Sequence, residues 1–145
     1  MIVILDGCLL LSEIKLRSLG IKTYLIKPGE FKSNCDKCKF INEIYDKDGC
    51  ILVSFLENRA NSLHTCLHPS ESSKILASFL SGSAEKFGKA LNRPSDSTAY
   101  WKSRVALCRC SKCPSIQVRG YDVTGMIVHG ISNYLDYEKT LLGGL

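Results

Sequence analysis

The stretch CDKCKFINEIYDKDG at residues 35–49 decides how the fold is interpreted, because CSKCPSIQVRGYDVTG at residues 110–125 nearly repeats it. In both copies Cys-x-Lys-Cys is followed by isoleucine three residues later and then by Tyr-Asp-x-x-Gly. Asp and Gly at such positions favour a β-hairpin turn, and an apolar segment follows each of them. Each copy therefore predicts a cysteine pair that leads into a hairpin, and together they predict an internal repeat.

The segments around the repeat complete this prediction. IVIL at 2–5 and GIKTYLI at 20–26 are predicted strands, whereas LLLSEIKLRSLG at 9–20 fits either a short helix or an alternating strand. Ser70 is a candidate N-cap for a helix that SGS at 81–83 breaks, and a second short helix is expected before Pro94. SNYLDYEKTLL at 132–142 predicts a last amphipathic helix.

We therefore expect an α+β fold in which two related zinc-knuckle/β-hairpin modules are joined by a short helical segment. The predicted divisions are residues 1–68, with the N-terminal strands and the first module, and residues 69–97, the helical connector. Residues 98–145 form the second module with its C-terminal helix.

Composition indicates a globular protein that uses its cysteines for a metal. Hydrophobic residues make up 45% of the chain and charged residues 23%, and there are eight cysteines. We see no secretory signal and no apolar run long enough to span a bilayer, so an intracellular location and no membrane partner are expected. In such a compartment paired thiols favour zinc, with disulfides as the alternative.

The predicted cofactor is zinc, because Cys-x-x-Cys on a tight turn presents two sulfurs to one ion and tetrahedral zinc needs four ligands. Either each copy binds its own zinc, or the two cysteine pairs meet in one site. Whether Cys50 or His68 also contributes is left open. The predicted ligands are Cys35, Cys38, His64, Cys66, Cys108, Cys110, Cys113 and His129.

The net charge of +5 is concentrated in one stretch, since six basic residues and one acidic residue fall within 93–121. Cations neutralise phosphates, and aromatic rings stack on unpaired bases, so this stretch predicts contact with nucleic acid. The residues expected to make that contact are Tyr100, Trp101, Lys102, Arg104, Arg109, Lys112 and Arg119.

The most favoured function is therefore a small zinc-binding regulatory protein that binds nucleic acid or a nucleic-acid-processing machine. One alternative is a module that docks on or inhibits a protein partner without contacting nucleic acid. A second alternative is a small metal-dependent nuclease using Asp6, or a Cys/His hydrolase using Cys8 or Cys66. No local catalytic signature supports either enzyme, so catalytic residues are not assigned.

Overall fold

The computed structural model describes residues 1–57, 63–67, 71–89, 91–92 and 111–143. Helices alternate with strands along most of this chain, which is typical of α/β proteins. The elements are β1 (Ile2–Asp6), α1 (Leu10–Ser18), β2 (Thr23–Ile26), α2 (Asn34–Asp48), β3 (Cys50–Glu57), β4 (Leu63–Leu67), α3 (Glu71–Lys86), β5 (Leu91–Asn92), β6 (Ser115–Gly120) and α4 (Thr124–Gly143).

The strands of the described ranges belong to one six-stranded sheet, in the order β2-β1-β3-β6-β4-β5. The first four strands of that order are parallel to one another. Strand β4 runs antiparallel to β6, and β5 pairs parallel to β4. Parallel neighbours cannot be joined by a hairpin turn, so the chain must cross over between them. The predicted α+β fold of two hairpin modules is therefore wrong, and the chain forms a single α/β domain.

The first two crossovers run in opposite directions along the sheet and place their helices on opposite faces. From β1 the chain passes through α1 to β2 on one side, and from β2 it passes through α2 to β3 on the other side of β1. Right-handed crossovers in opposite directions require opposite faces. Leu16 of α1 belongs to one hydrophobic cluster and Ile41 of α2 to the other, as this rule demands.

Both faces of the central strands are buried, so side chains alternate between two cores. The larger core lies under α1, α3 and α4 and contains Val3 and Leu5 of β1, Val53 of β3 and Val118 of β6. The smaller core lies under α2 and contains Ile4, Ile26, Ile41, Cys50, Leu52, Cys38 and Cys113. A parallel strand covered on both faces is typically apolar throughout, which explains the continuous run CILVSFL at 50–56.

The first copy of the repeat is a helix followed by a strand, rather than a hairpin. The Ser33 hydroxyl caps α2 by accepting a hydrogen bond from the backbone N–H of Asp36 at 3.2 Å. Cys38 and Ile41 lie on its buried side, three residues apart, as helical periodicity requires. Gly49 ends the helix at φ 73°, a conformation that glycine adopts readily. The Asp-Lys-Asp-Gly segment is thus a helix end.

The second copy is a strand followed by a helix. Residues 115–120 form β6 as predicted, but Asp122 at φ 52° turns the chain directly into α4. Residues 126–132, the apolar segment predicted as the returning strand of the second hairpin, are therefore helical. Strand β6 is already paired with β3 on one side and β4 on the other, so neither side is open to a returning strand.

Some of the remaining local predictions are confirmed and others are wrong. The strand at 2–5, the strand ending at residue 26 and the C-terminal helix are confirmed. The predicted break at 81–83 is wrong because α3 continues through it with Ser83 buried, and part of the predicted second helix is instead β5. The predicted boundaries at 68/69 and 97/98 lie outside the described residues.

Helices α3 and α4 pack closely at Gly130. This contact can be tested with two glycine-to-alanine variants, one at the contact and one away from it. A Cβ added at Gly130 would lie 2.6 Å from Leu80 Cδ2 and 3.2 Å from Leu80 Cα, and Leu80 is fully buried. Gly130→Ala should lower the free energy of unfolding by about 1–3 kcal/mol through overpacking.

Gly82→Ala is the control, because an added Cβ at this helical site meets nothing within 4 Å. It should raise the free energy of unfolding by about 0.5–1 kcal/mol. Urea denaturation followed by circular dichroism measures both values. Similar shifts of the same sign in the two variants would contradict this packing.

Candidate functional site

The carboxyl ends of β1 and β3 mark the point where the strand order reverses. In open α/β sheets ligands bind outside the carboxyl ends of the strands at such a switch point. Here Gly7 and Cys8 follow β1, Glu57 ends β3, and Tyr121 follows β6. We call the end of the sheet at which the parallel strands terminate the carboxyl edge; the term does not refer to an outer strand.

At this edge β1 and β3 approach each other more closely than a side chain would permit. Gly7 has φ 118°, and a Cβ built on it would lie 2.4 Å from the carbonyl oxygen of Phe55. Only glycine combines that dihedral with such an approach. Gly7 therefore determines the direction in which the chain leaves β1 toward Cys8.

Among the residues that the structure describes, two clefts open at the carboxyl edge, one on each side of Cys8 and Leu9. The larger, which we call the β1–β2 cleft, has a volume of about 620 Å³ and includes Asp6, Phe31 and Lys37 in its lining. The smaller, the β1–β6 cleft, has a volume of about 210 Å³ and includes Glu57, Tyr121 and Asp122. Cys8 and Leu9 line both clefts, and Cys8 carries an exposed free thiol.

An ion pair lies in the β1–β2 cleft. The Nζ of Lys37 is 3.2 Å from Asp6 Oδ1 and 3.3 Å from Oδ2. Their side chains are 23% and 16% exposed, respectively, so water screens the pair only in part. Lys37 reaches Asp6 because it lies in the first turns of α2, where the sequence predicted a knuckle.

A row of polar side chains crosses the sheet from this ion pair. Asp6 pairs with Ser54 of β3, and Ser54 pairs with Gln117 of β6, so all three share the α2 face. Ser54 is 5% exposed and Gln117 is 8% exposed. Among the described residues the Oε1 of Gln117 has no hydrogen-bond donor within reach. We call Asp6, Ser54 and Gln117 the polar row.

Cysteines gather at the opposite, amino edge of the sheet. The β3–β6 register, which pairs Leu52 with Ser115, extends back to place Cys50 beside Cys113, and both are buried. A hydrogen bond with Cys113 lowers the pKa of the Cys50 thiol, although burial acts in the opposite direction. The amino edge thus contains buried thiols that belong to the smaller core.

Cys35 and Cys113, one predicted zinc ligand from each cysteine pair, lie in different environments. Cys35 is an exposed free thiol in the first turn of α2, whereas Cys113 lies at the amino edge. Cys38 is disulfide-bonded, which is the alternative chemistry that the cysteine content allowed. In that state its sulfur is not a thiolate, so it would bind zinc only after reduction.

His129 lies on α4, not on a hairpin strand, and its ring already has polar neighbours. Its Nε2 is 3.2 Å from the Lys86 Nζ, and its Nδ1 is 3.2 Å from the Ser83 hydroxyl. An ammonium group can only donate, so Nε2 accepts from Lys86, while Nδ1 also lies 3.4 Å from the Asn133 Nδ2 amide. The Nε2 lone pair is therefore occupied by Lys86.

The described residues do not form a zinc site by themselves. Within the described ranges, no three His, Cys, Asp or Glu side chains lie close enough to hold a metal ion. Cys108 and Cys110 lie outside those ranges, and only the backbone of His64 and Cys66 is described. The ligand set named from the sequence remains a prediction.

The two described residues of the predicted nucleic-acid surface lie far apart. Lys112 precedes β6 at the amino edge and pairs with Asp46 at 3.1 Å, whereas Arg119 lies near the other end of β6. At the usual rise of a strand, seven residues separate their Cα atoms by roughly 20 Å. Tyr100, Trp101, Lys102, Arg104 and Arg109 lie outside the described residues.

Solved structures with the same architecture were found, although no protein-family model and no curated protein sequence matches the chain. The N-acetylmuramyl-L-alanine amidase Ami1 of Mycobacterium smegmatis superimposes with a TM-score of 0.72 at 14% identity, covering 94% of this chain and 97% of that one. The fold is that of N-acetylmuramyl-L-alanine amidases.

Two further solved structures share this fold. The catalytic domain of the CD27L endolysin, which targets Clostridia difficile, has a TM-score of 0.58 at 13% identity, with 91% of this chain and 96% of that chain covered. A structure described as zinc-free apo YndL has a TM-score of 0.53 at 12% identity, with coverages of 94% and 85%.

These neighbours overturn part of the sequence interpretation. The predicted regulatory function, the nucleic-acid partner and the zinc-finger architecture are wrong, because the chain has an amidase fold and not two knuckle modules. Among the described residues no helix is long and apolar enough to cross a membrane.

Sequence reasoning identified one member of the polar row and missed the other two. Asp6 was considered because it ends an apolar strand. Ser54 and Gln117 carried a usable signal, since each is a polar residue inside an otherwise apolar strand. A strand buried on both faces has no solvent side for such residues, so they mark an internal polar site.

The contribution of the Asp6–Lys37 ion pair to stability can be tested with one variant and a control variant. Lys37→Met should lower the free energy of unfolding by about 1–3 kcal/mol, because it leaves a largely buried carboxylate without its partner. Lys112→Met is the control, because its ion pair with Asp46 is more than half exposed on both sides. That variant should lose less than about 1 kcal/mol.

Thermal or urea unfolding at low ionic strength measures both variants. A loss in Lys37→Met no larger than in Lys112→Met would show that the cleft ion pair contributes nothing beyond an ordinary surface pair.

Proposed function

We propose that this protein is a hydrolase that cleaves the amide bond between N-acetylmuramic acid and L-alanine, the junction of glycan and peptide in peptidoglycan. The observation that carries the proposal is the superposition on Ami1 over 94% of the chain. The CD27L endolysin domain supports the same class of activity, because it is a catalytic domain with this architecture.

The shape of the carboxyl edge supports such a substrate. A sugar joined to a peptide has two unlike parts, and two unlike clefts meet here at Cys8 and Leu9. The β1–β2 cleft combines apolar side chains with the charges of Asp6 and Lys37, as binding sites commonly do. Lys37 offers a donor to a carbonyl or carboxylate of the bound molecule.

Zinc is the cofactor that belongs to this proposal. The description of the YndL neighbour as a zinc-free apo form supports it. The described residues leave the ligand set incomplete, so further ligands must come from positions such as His64, whose backbone pairs with Arg119 toward the carboxyl end of β6. His64 was named as a ligand from the sequence, and its contribution stays part of the proposal.

A second candidate is recognition of the same molecule without cleavage. The observation that favours it is the lack of any metal-holding group among the described side chains. The two clefts and the polar row would then bind N-acetylmuramyl-peptides without a catalytic metal.

One experiment separates the two candidates. Peptidoglycan is incubated with the purified protein, and mass spectrometry quantifies released peptides that begin with a free L-alanine. Cleavage should occur with added zinc, fall by about tenfold or more with a chelator, and return when zinc is restored.

Asp6→Asn should lower the rate by about tenfold, since a charge-assisted contact in the cleft is lost. Asp46→Asn, which alters the exposed ion pair, should stay near the wild-type rate. Sedimentation of the protein with peptidoglycan but no released peptide under any zinc condition would establish recognition without cleavage. If the protein neither binds peptidoglycan nor releases peptide, both candidates are contradicted.

A further inference from the structure

The β1–β2 cleft is cationic between apolar walls. Its lining contains two cations, Lys27 and Lys37, and one anion, Asp6, which gives a net charge of +1. Asp6 and Lys37 form an ion pair, so the exposed ammonium group of Lys27 is the charge that a ligand in the cleft meets. Glu30 does not line the cleft, and its carboxylate already accepts from the Lys27 backbone N–H at 3.0 Å and from the Tyr24 hydroxyl. A carboxylate in this cleft would therefore find a cation to bind.

The β1–β6 cleft has the opposite charge. Its lining contains two anions, Glu57 at the end of β3 and Asp122 between β6 and α4, and its described residues include no cation. Both side chains are exposed, and neither forms an ion pair within the described residues. Ionised carboxylates only accept hydrogen bonds, so this cleft favours O–H and N–H donors and repels another carboxylate.

N-acetylmuramyl-L-alanine has a matching asymmetry. Its sugar is uncharged and carries hydroxyl and acetamide groups, which supply O–H and N–H donors, whereas its alanine ends in a carboxylate. Because the clefts meet at Cys8 and Leu9, a ligand that lies across these two residues places one part in each cleft. One orientation pairs the carboxylate with a cation, and the reverse orientation holds it against two anions. Electrostatic complementarity therefore distinguishes the two orientations.

We propose that the β1–β2 cleft binds the peptide part of an N-acetylmuramyl-peptide, with its carboxylate on Lys27, and that the β1–β6 cleft binds the sugar through Glu57 and Asp122. This inference rests on the proposed function for its choice of ligand. The amide that joins the two parts then lies over Cys8 and Leu9, where the clefts meet. The opposite charges of the clefts thus set the direction in which the substrate lies.

The first test removes the charge from the ligand and then from the protein. Calorimetry measures the binding of N-acetylmuramyl-L-alanine and of its C-terminal amide, which has no carboxylate. Wild type should bind the acid about fivefold more tightly than the amide, as expected for one exposed ion pair. Lys27→Gln should bind both ligands with the affinity that wild type shows for the amide.

Lys22→Gln is the matched control, because Lys22 is also exposed but lines neither cleft. Lys22 precedes β2 and Lys27 follows it, so their Cα atoms lie roughly 16 Å apart at the usual rise of a strand. In about 0.1 M salt, charges separated by more than about 10 Å are largely screened. The control should therefore keep the wild-type preference for the acid.

The second test neutralises the β1–β6 cleft with the double variant Glu57→Gln, Asp122→Asn. Asparagine tolerates the φ of 52° at position 122. In the proposed orientation these carboxylates contact the sugar, so both ligands should bind about threefold to tenfold more weakly, with the preference for the acid unchanged. In the reverse orientation the variant would instead bind the acid more tightly and the amide no better.

The outcomes distinguish this inference from the proposed function. Equal binding of acid and amide by wild type, an unchanged preference in Lys27→Gln, or tighter binding of the acid by the double variant would each overturn the orientation alone. Failure of wild type to bind either ligand would overturn the choice of ligand together with the proposed function.

Discussion

The parallel pairing of β6 with β3 is the constraint on which the rest of the structure depends. It brings residues 115–120 against residues 50–57, far apart in sequence, and both strands are then covered on two faces. It closes the larger core, because α4 follows β6 and packs with α3 over the sheet. It also aligns Gln117 with Ser54 and Asp6, and so creates the polar row.

A second consequence is the position of the carboxyl edge. With β1 at the centre of the crossovers, the chain leaves β1 at the point where the strand order reverses, and Gly7 allows it to pass against Phe55. The clefts on either side of Cys8 follow from that departure. The candidate site therefore lies at the ends of strands whose interiors are specified by packing, as ligand sites generally do in α/β proteins.

How much the sequence could predict differs between elements. The strand at 2–5 and the run at 50–56 were predictable because buried parallel strands are continuously apolar. Helix α2 was misassigned because Cys-x-x-Cys and Asp-Lys-Asp-Gly each have a familiar turn interpretation, which outweighed the helical spacing of Cys38 and Ile41. Short apolar segments are ambiguous between helix and strand, and the apparent repeat made the ambiguity look resolved.

The candidate site was less predictable than the fold, for a physical reason. Asp6 could be found from its place at a strand end, but Ser54 and Gln117 become neighbours only through the register of three strands distant in sequence. Lys37 was assigned to a knuckle, and helix α2 instead carries it to Asp6. No local motif encodes such contacts.

The most direct test of this account is a nuclear magnetic resonance titration of the isotope-labelled protein with N-acetylmuramyl-L-alanine. It identifies the backbone amides whose chemical shifts change when the ligand binds. The account predicts that nuclear magnetic resonance shift changes gather at the carboxyl ends of the parallel strands, around Gly7, Glu57 and Tyr121. Changes centred on the amino edge around Cys50 and Cys113, or no changes at all, would contradict it.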